Sequence, residues 1–118
     1  MPRHTESIIQ RQSVKWFRLQ YPAIGNLLFC VPNGGFRSKT EASIMKGEGV
    51  VSGVSDLMLL YSNGVYNSLC LEMKAPGGRQ TDKQRDWQEL AEKHGNKYVV
   101  CHSLDEFMSE VNGYMQQR

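Results

Sequence analysis

Apolar and polar positions along this chain switch repeatedly between a helical and a strand period, and the switches fall at glycine, proline and asparagine. From about Thr5 to Leu19, Ile9, Trp16 and Phe17 recur on one side of a helical wheel, with Ser7 and Gln10 at capping-box spacing. Pro22 and Gly25 close this helix. The apolar run Leu27–Val31, stopped by Pro32, reads as a short buried strand, and Pro32-Asn33-Gly34-Gly35 reads as a loop needing unusual backbone angles. Ser38 and Glu41 form a second capping box, opening a short helix that ends near Gly47. A glycine-punctuated segment, Gly47 to Gly53, leads into a strand over Asp56–Tyr61. Ser62-Asn63-Gly64 is a turn signal, so a hairpin joins this strand to the next, Ser68–Lys74, which Pro76-Gly77-Gly78 stops. Thr81 and Gln84 form a third capping box, heading a helix that ends at Gly95. Lys97–Cys101 is a fourth strand, and Ser103 caps a last amphipathic helix through Tyr114. The order α-β-α-β-β-α-β-α predicts one α/β domain over residues 1–118, with a central mixed sheet flanked by helices.

Composition narrows the class. A chain of 118 residues, 40% hydrophobic and 22% charged, can bury a core without disulfides or a structural metal. No apolar run approaches the roughly 20 residues that span a bilayer, and the polar N-terminal stretch does not read as a secretory signal. The expectation is a cytoplasmic protein with no membrane partner. Cys30, Cys70 and Cys101 are scattered in apolar stretches without C-x-x-C spacing, which favours reduced core residues over a zinc site or a disulfide framework. The net charge of +2 is too small to indicate nucleic acid by itself.

The chemistry concentrates on the third strand. Side chains alternate across a strand, so Leu69, Leu71 and Met73 share one face while Cys70, Glu72 and Lys74 share the other. A carboxylate and an amine on one face of an otherwise apolar strand are costly to bury unless paired or bound to something. The hairpin returns Asp56, at the start of the neighbouring apolar run, towards Glu72. Two converging carboxylates beside a lysine suit a hard divalent cation with oxygen ligands, and they equally suit a salt bridge at a strand end. Glu6 falls on the inward face of the first helix with Ile9, Ser13, Trp16 and Phe17. It fits a third acid at such a site or a favourable charge at the helix dipole. Gln84 shares a face with Trp87, Gln88 and Ala91; it fits a phosphate or water contact, or its capping box with Thr81.

Taken together, several motifs resemble the VRR-NUC branch of the PD-(D/E)xK nuclease superfamily. They are Val31-Pro32-Asn33-Gly34-Gly35, Lys46-Gly47-Glu48-Gly49 through Gly53-Val54-Ser55-Asp56-Leu57, Leu71-Glu72-Met73-Lys74, and Gln84 with Trp87. The resemblance implies a restriction-endonuclease-like core and cleavage of DNA dependent on Mg2+ or Mn2+. It implies Glu6, Asp56 and Glu72 as acids, the backbone carbonyl of Met73 as a further metal ligand, Lys74 as the catalytic lysine and Gln84 as an accessory residue. Ser55 stands where a proline often precedes the aspartate, a change that removes backbone stiffness and no ligand. Stand-alone members of phage or bacterial type imply a homodimer that nicks branched DNA such as four-way junctions.

Positive charge brackets this site. Arg37, Lys39 and Lys46 follow the Asn33 loop, and Arg79, Lys83 and Arg85 follow the third strand, where phosphates would lie. Asn33, Arg37, Lys39, Lys46, Arg79 and Lys83 are the expected DNA contacts. Met45, Val50 and Val51 are apolar residues that could face a second copy. The competing expectations are a DNA-binding or assembly module that keeps the fold, and a sequence-specific restriction-type nuclease.

Overall fold

The computed structural model describes residues 2–32 and 38–116. Four helices, α1 (Pro2–Gln20), α2 (Lys39–Gly47), α3 (Asp82–Lys93) and α4 (Leu104–Gln116), surround four strands, β1 (Leu28–Cys30), β2 (Leu57–Leu59), β3 (Leu69–Met73) and β4 (Lys97–Cys101). The sheet order is β1-β2-β3-β4, antiparallel at the first two pairings and parallel between β3 and β4. This is the mixed, helix-flanked sheet that the alternation of elements predicts.

The helix caps follow the local sequence with one exception. Ser38 Oγ accepts from the Glu41 amide at 3.0 Å, Ser103 Oγ accepts from the Glu106 amide at 3.1 Å, and both bonds of the Thr81–Gln84 capping box form. Ser7 and Gln10, in contrast, lie inside α1. That helix starts earlier, at Pro2, where the missing N–H is no loss because first-turn amides have no helical partner. A 3-10 helix over Pro22–Leu27, unforeseen from the Pro22 and Gly25 stop signals, carries the chain from α1 to β1.

A second correction concerns β1. It is an edge strand: Leu28 is fully buried, while Phe29 and Cys30 are exposed. An apolar run of this length reads as a buried strand from sequence because periodicity carries no information about position in the sheet. Cys70 and Cys101 are buried as expected, and Cys30 is not; it accepts a long contact from Gln10 Nε2 at 3.5 Å.

The hairpin between β2 and β3 is built on Asn63. Its Oδ1 accepts from the amides of Val65 (2.9 Å) and Tyr66 (2.8 Å), and its Nδ2 donates to the Tyr114 carbonyl at 3.0 Å, pinning the turn to α4. β3 runs through the centre with all five residues buried. On one side, Leu57, Leu59, Leu69, Leu71 and Met73 pack with Phe17 of α1 and Phe107, Val111 and Tyr114 of α4. Each such side chain contributes about 1.5–3 kcal/mol by leaving water. Trp16 meets Phe107 edge-to-face at 6.1 Å, locking α1 to α4. On the other side, Trp87 of α3 lies 6.0 Å from the Tyr98 ring of β4. With both faces of β3 covered, a charge on this strand has no route to bulk water except at its end.

Candidate active site

The β2–β3 ladder pairs Leu57 with Leu71 and Leu59 with Leu69. Continued by one step, the same register sets Asp56 beside Glu72. Asp56 is held there from two directions. Its carbonyl accepts from the Val31 amide at 2.8 Å, and its carboxylate Oδ2 accepts from the Met73 amide at 2.6 Å. Because a strand residue turns its N–H and C=O to the same edge, the Met73 carbonyl faces the Asp56 side as well. Burial pushes the Asp56 carboxyl above the usual carboxylate range; the Met73 bond opposes this, Glu72 and Glu6 add to it, and Lys74 opposes it.

Glu72 is fully buried. Its Oε1 accepts from the Tyr98 hydroxyl and from Gln80 Nε2, the latter at 3.1 Å. Its Oε2 is buried without a hydrogen bond and lies 3.4 Å from Lys74 Nζ, an ion contact rather than an aligned bond. Burial first, then the bond and charge of Glu72, keep the Tyr98 phenol protonated far above its usual range, so it acts as a donor. Lys74 follows β3 directly. Its stem lies under the loop after the strand, where a Cβ on Gly78 would come within 3.3 Å of Lys74 Cβ. The Gly78 carbonyl lies 3.0 Å from His102 Nε2, which ties that loop to the start of α4.

Glu6 is half-buried on the inward face of α1, with Ser13 and Phe17 fully buried one side of it, as the helical period predicts. Its Oε2 accepts from the Ala75 amide at 3.4 Å, which places it next to the end of β3. It adds to the charge felt by Asp56 but does not complete a cluster: among the described residues, no three Asp, Glu, His or Cys side chains gather closely enough to hold a metal ion.

Gln84 belongs to the half-buried face of α3 with Trp87, Gln88 and Ala91. Its Oε1 accepts from the Thr81 amide at 2.8 Å, so its side-chain oxygen caps the helix. The glutamine that reaches Glu72 is Gln80, which sequence reasoning missed, as it missed Tyr98. The available signals were slight: the four-residue recurrence of Gln80, Gln84 and Gln88, and one hydroxyl-tipped side chain in the apolar strand Lys97–Cys101.

The segment leading to Asp56 packs tightly on α3. Gly53 has φ +90, and a Cβ there would lie 2.5 Å from the Lys83 carbonyl oxygen. Ser55, in the position where proline was the alternative, is fully buried and donates from Oγ to the Leu57 carbonyl at 3.1 Å. Of the expected phosphate contacts, Lys39, Lys46, Arg79 and Lys83 are exposed, and Asn33 and Arg37 lie outside the described residues. Arg85 is engaged with Asp82 and with the Gln80 carbonyl. Met45, Val50 and Val51 line, with Val31, Pro32 and Val54, an apolar cavity of about 260 Å3. No helix among the described residues is long and apolar enough to cross a membrane.

Comparison with curated proteins gave no match. A solved structure described as a VRR-NUC domain protein superposes with a TM-score of 0.83 at 24% identity, covering 97% of this chain and 90% of that one, which shows a shared fold. The model of the VRR-NUC domain matches residues 3–105, from α1 to the start of α4, and so takes in Glu6, Asp56, Glu72 and Lys74. On that match the chain belongs to the VRR-NUC domain family, with a core of nuclease type.

Proposed function

We propose that the protein is a divalent-metal-dependent, structure-selective DNA endonuclease that hydrolyses phosphodiester bonds in branched DNA such as four-way junctions. The observation that carries this reading is Glu72: a fully buried carboxylate whose Oε2 makes no hydrogen bond, beside Lys74 and opposite Asp56 in the continued β2–β3 register. A buried carboxylate oxygen without a donor costs stability, so its retention calls for a ligand. The donors on hand are hard oxygens, which fit Mg2+ or Mn2+. Asp56, Glu72 and the Met73 carbonyl would hold the ion, with Glu6 adding negative charge from α1. When bound, the ion supplies Lewis-acid polarisation of the phosphodiester and a water of lowered pKa.

The remaining work falls to the chain itself. Lys74 sets its ammonium beside Glu72, where it orients the attacking water and offsets negative charge on the phosphorane-like transition state. Gln84 serves as the accessory residue at the phosphate through its amide nitrogen. Lys39, Lys46, Arg79 and Lys83, together with Asn33 and Arg37, hold the backbone of the DNA without reading bases. A second copy docked over the cavity bordered by Met45, Val50 and Val51 would pair two active sites for symmetric nicks, in a protein that works in the cytoplasm.

Cleavage assays on four-way junctions, flaps and linear duplex, each with Mg2+ or Mn2+, test this reading. Cutting of branched DNA by the wild type and its loss in Glu72→Ala and Lys74→Ala are expected. DNA binding with neither metal yielding products would instead indicate a binding module, and cutting of linear duplex at one short sequence would indicate a restriction-type enzyme. Light scattering checks the dimer.

A further inference from the structure

We propose that Tyr98 and Gln80 are positioning residues that leave Glu72 one oxygen, Oε2, for a cation, and thereby make the site select a small six-coordinate ion over calcium. The inference rests on the metal-dependent reading above and deepens it. Glu72 Oε1 already accepts two donors, the Tyr98 hydroxyl and Gln80 Nε2 at 3.1 Å. Neither donor is loosely held. Tyr98 is buried in β4, and its ring is braced by Trp87. Gln80 spends its amide on Glu72 and on Gln88 Oε1 at 2.8 Å, while Gln88 Nε2 donates onward to Glu92 Oε2 at 3.3 Å. With Gln88 presenting its oxygen to Gln80, the Gln80 amide nitrogen is the end that fits between the two acceptors, and it must donate to Glu72.

The Asp56 carboxylate is partly committed as well: its Oδ2 accepts from the Met73 amide at 2.6 Å, which occupies one of that oxygen's two acceptor sites. Glu72 therefore offers a single oxygen, and a grip through both of its oxygens is closed to a cation. Calcium takes six to eight oxygen ligands and often recruits carboxylates through both oxygens, whereas magnesium and manganese accept few protein ligands and keep waters. Closing the bidentate mode at Glu72 thus costs calcium more. Partners behind a metal-binding carboxylate also fix its orientation and its basicity. A tyrosine retained only to fill space would be replaced by phenylalanine without effect on any ion, which sets the two roles apart.

The test is calorimetric titration of the full chain, free of DNA, with Mn2+ and separately with Ca2+. It compares wild type, Tyr98→Phe and Gln80→Leu, with Glu72→Gln as the control that defines binding at this site. The wild type is expected to bind Mn2+ in preference to Ca2+ and to lose this binding in Glu72→Gln. Each positioning variant should lose roughly ten- to a hundredfold in Mn2+ affinity, with Ca2+ affinity falling less, so that the preference narrows. An unchanged Mn2+-to-Ca2+ ratio in folded variants overturns the proposal. Absence of Glu72-dependent Mn2+ binding in the wild type overturns the metal reading itself, and the inference with it, before any variant is compared. Gln80 is half-buried and outside the sheet, so Gln80→Leu keeps the test decisive if Tyr98→Phe does not fold.

Discussion

Asp56 accepts a hydrogen bond at Oδ2 from the backbone amide of Met73, 2.6 Å away, where the β2–β3 ladder ends. The carboxylate thus takes the place of a backbone acceptor, in a setting that penalises its charge. Burial raises its pKa from 3.8, with Glu72 and Glu6 adding to the rise and Met73 and Lys74 opposing it. A carboxyl raised in the folded state contributes stability that is fully present below the unfolded value near 3.8 and is lost as pH rises through the folded value. Above that point the ionised group destabilises the metal-free protein. Asn at this position keeps an acceptor oxygen for the Met73 amide and removes the charge. Asp56→Asn should raise the Tm in chelator at pH 8, with the gain shrinking towards pH 4, and should abolish cleavage. A Tm difference that does not change with pH would contradict the assigned cause.

Gly53 fixes how the chain approaches Asp56. Its φ of +90 is a backbone state that side chains disfavour, and an added Cβ would lie 2.5 Å from the Lys83 carbonyl oxygen and 3.1 Å from the Gln84 amide nitrogen. Both neighbours are backbone, so neither can rotate away. Gly53→Ala is expected to destabilise by about 1–3 kcal/mol from conformational strain, before any cost of moving α3. Urea denaturation measures this. A companion substitution, Gly49→Ala, meets no atom within 4 Å at a similarly positive φ of +107, and so isolates the strain from the clash.

These two positions also show which parts of the molecule were legible in the sequence. Caps at Ser38, Thr81 and Ser103 could be read because a cap is a local contract between residues three apart. The same spacing at Ser7 and Gln10 misled because it recurs by chance inside a helix. Asp56, Glu72 and Lys74 could be placed together because strand alternation and a hairpin register are both set by the chain order. Tyr98 and Gln80 could not, since they reach Glu72 from a parallel neighbour strand and from the residues before α3, contacts that only tertiary packing creates. Nor does the run Leu27–Val31 carry any mark that its strand lies at the sheet edge.

The cysteines provide an independent check on that edge. Cys30 is exposed on β1, whereas Cys70 and Cys101 are buried. Burial raises the Cys70 thiol and pushes Cys101 up to about 12, so neither forms appreciable thiolate at neutral pH. A thiol reagent at pH 8 should label the native protein once, at Cys30, and the urea-unfolded protein at all three cysteines. Loss of rapid labelling in Cys30→Ser would confirm the position, and rapid labelling of Cys101 in the native state would contradict the sheet packing.

Gln84 holds two candidate roles that one substitution separates. As the N3 residue of α3 it accepts from the Thr81 amide at 2.8 Å through its side-chain oxygen, and Thr81 Oγ1 accepts from the Gln84 amide at 3.2 Å. Glutamate satisfies the same capping geometry, and its charge is favoured at the helix N-terminus. It lacks the amide N–H that a phosphate or water contact requires, and its charge repels phosphate. Gln84→Glu should therefore leave thermal stability within about 0.5 kcal/mol of wild type, as for a substitution that keeps its structural contact. Cleavage of a junction substrate should fall at least tenfold, equivalent to about 1.4 kcal/mol in transition-state stabilisation. Thr81→Ala should do the reverse, costing about 1 kcal/mol of stability while preserving cleavage below the melting range. If Gln84→Glu cuts at the wild-type rate, Gln84 is a capping residue only, and Gln80 is the glutamine that serves the site.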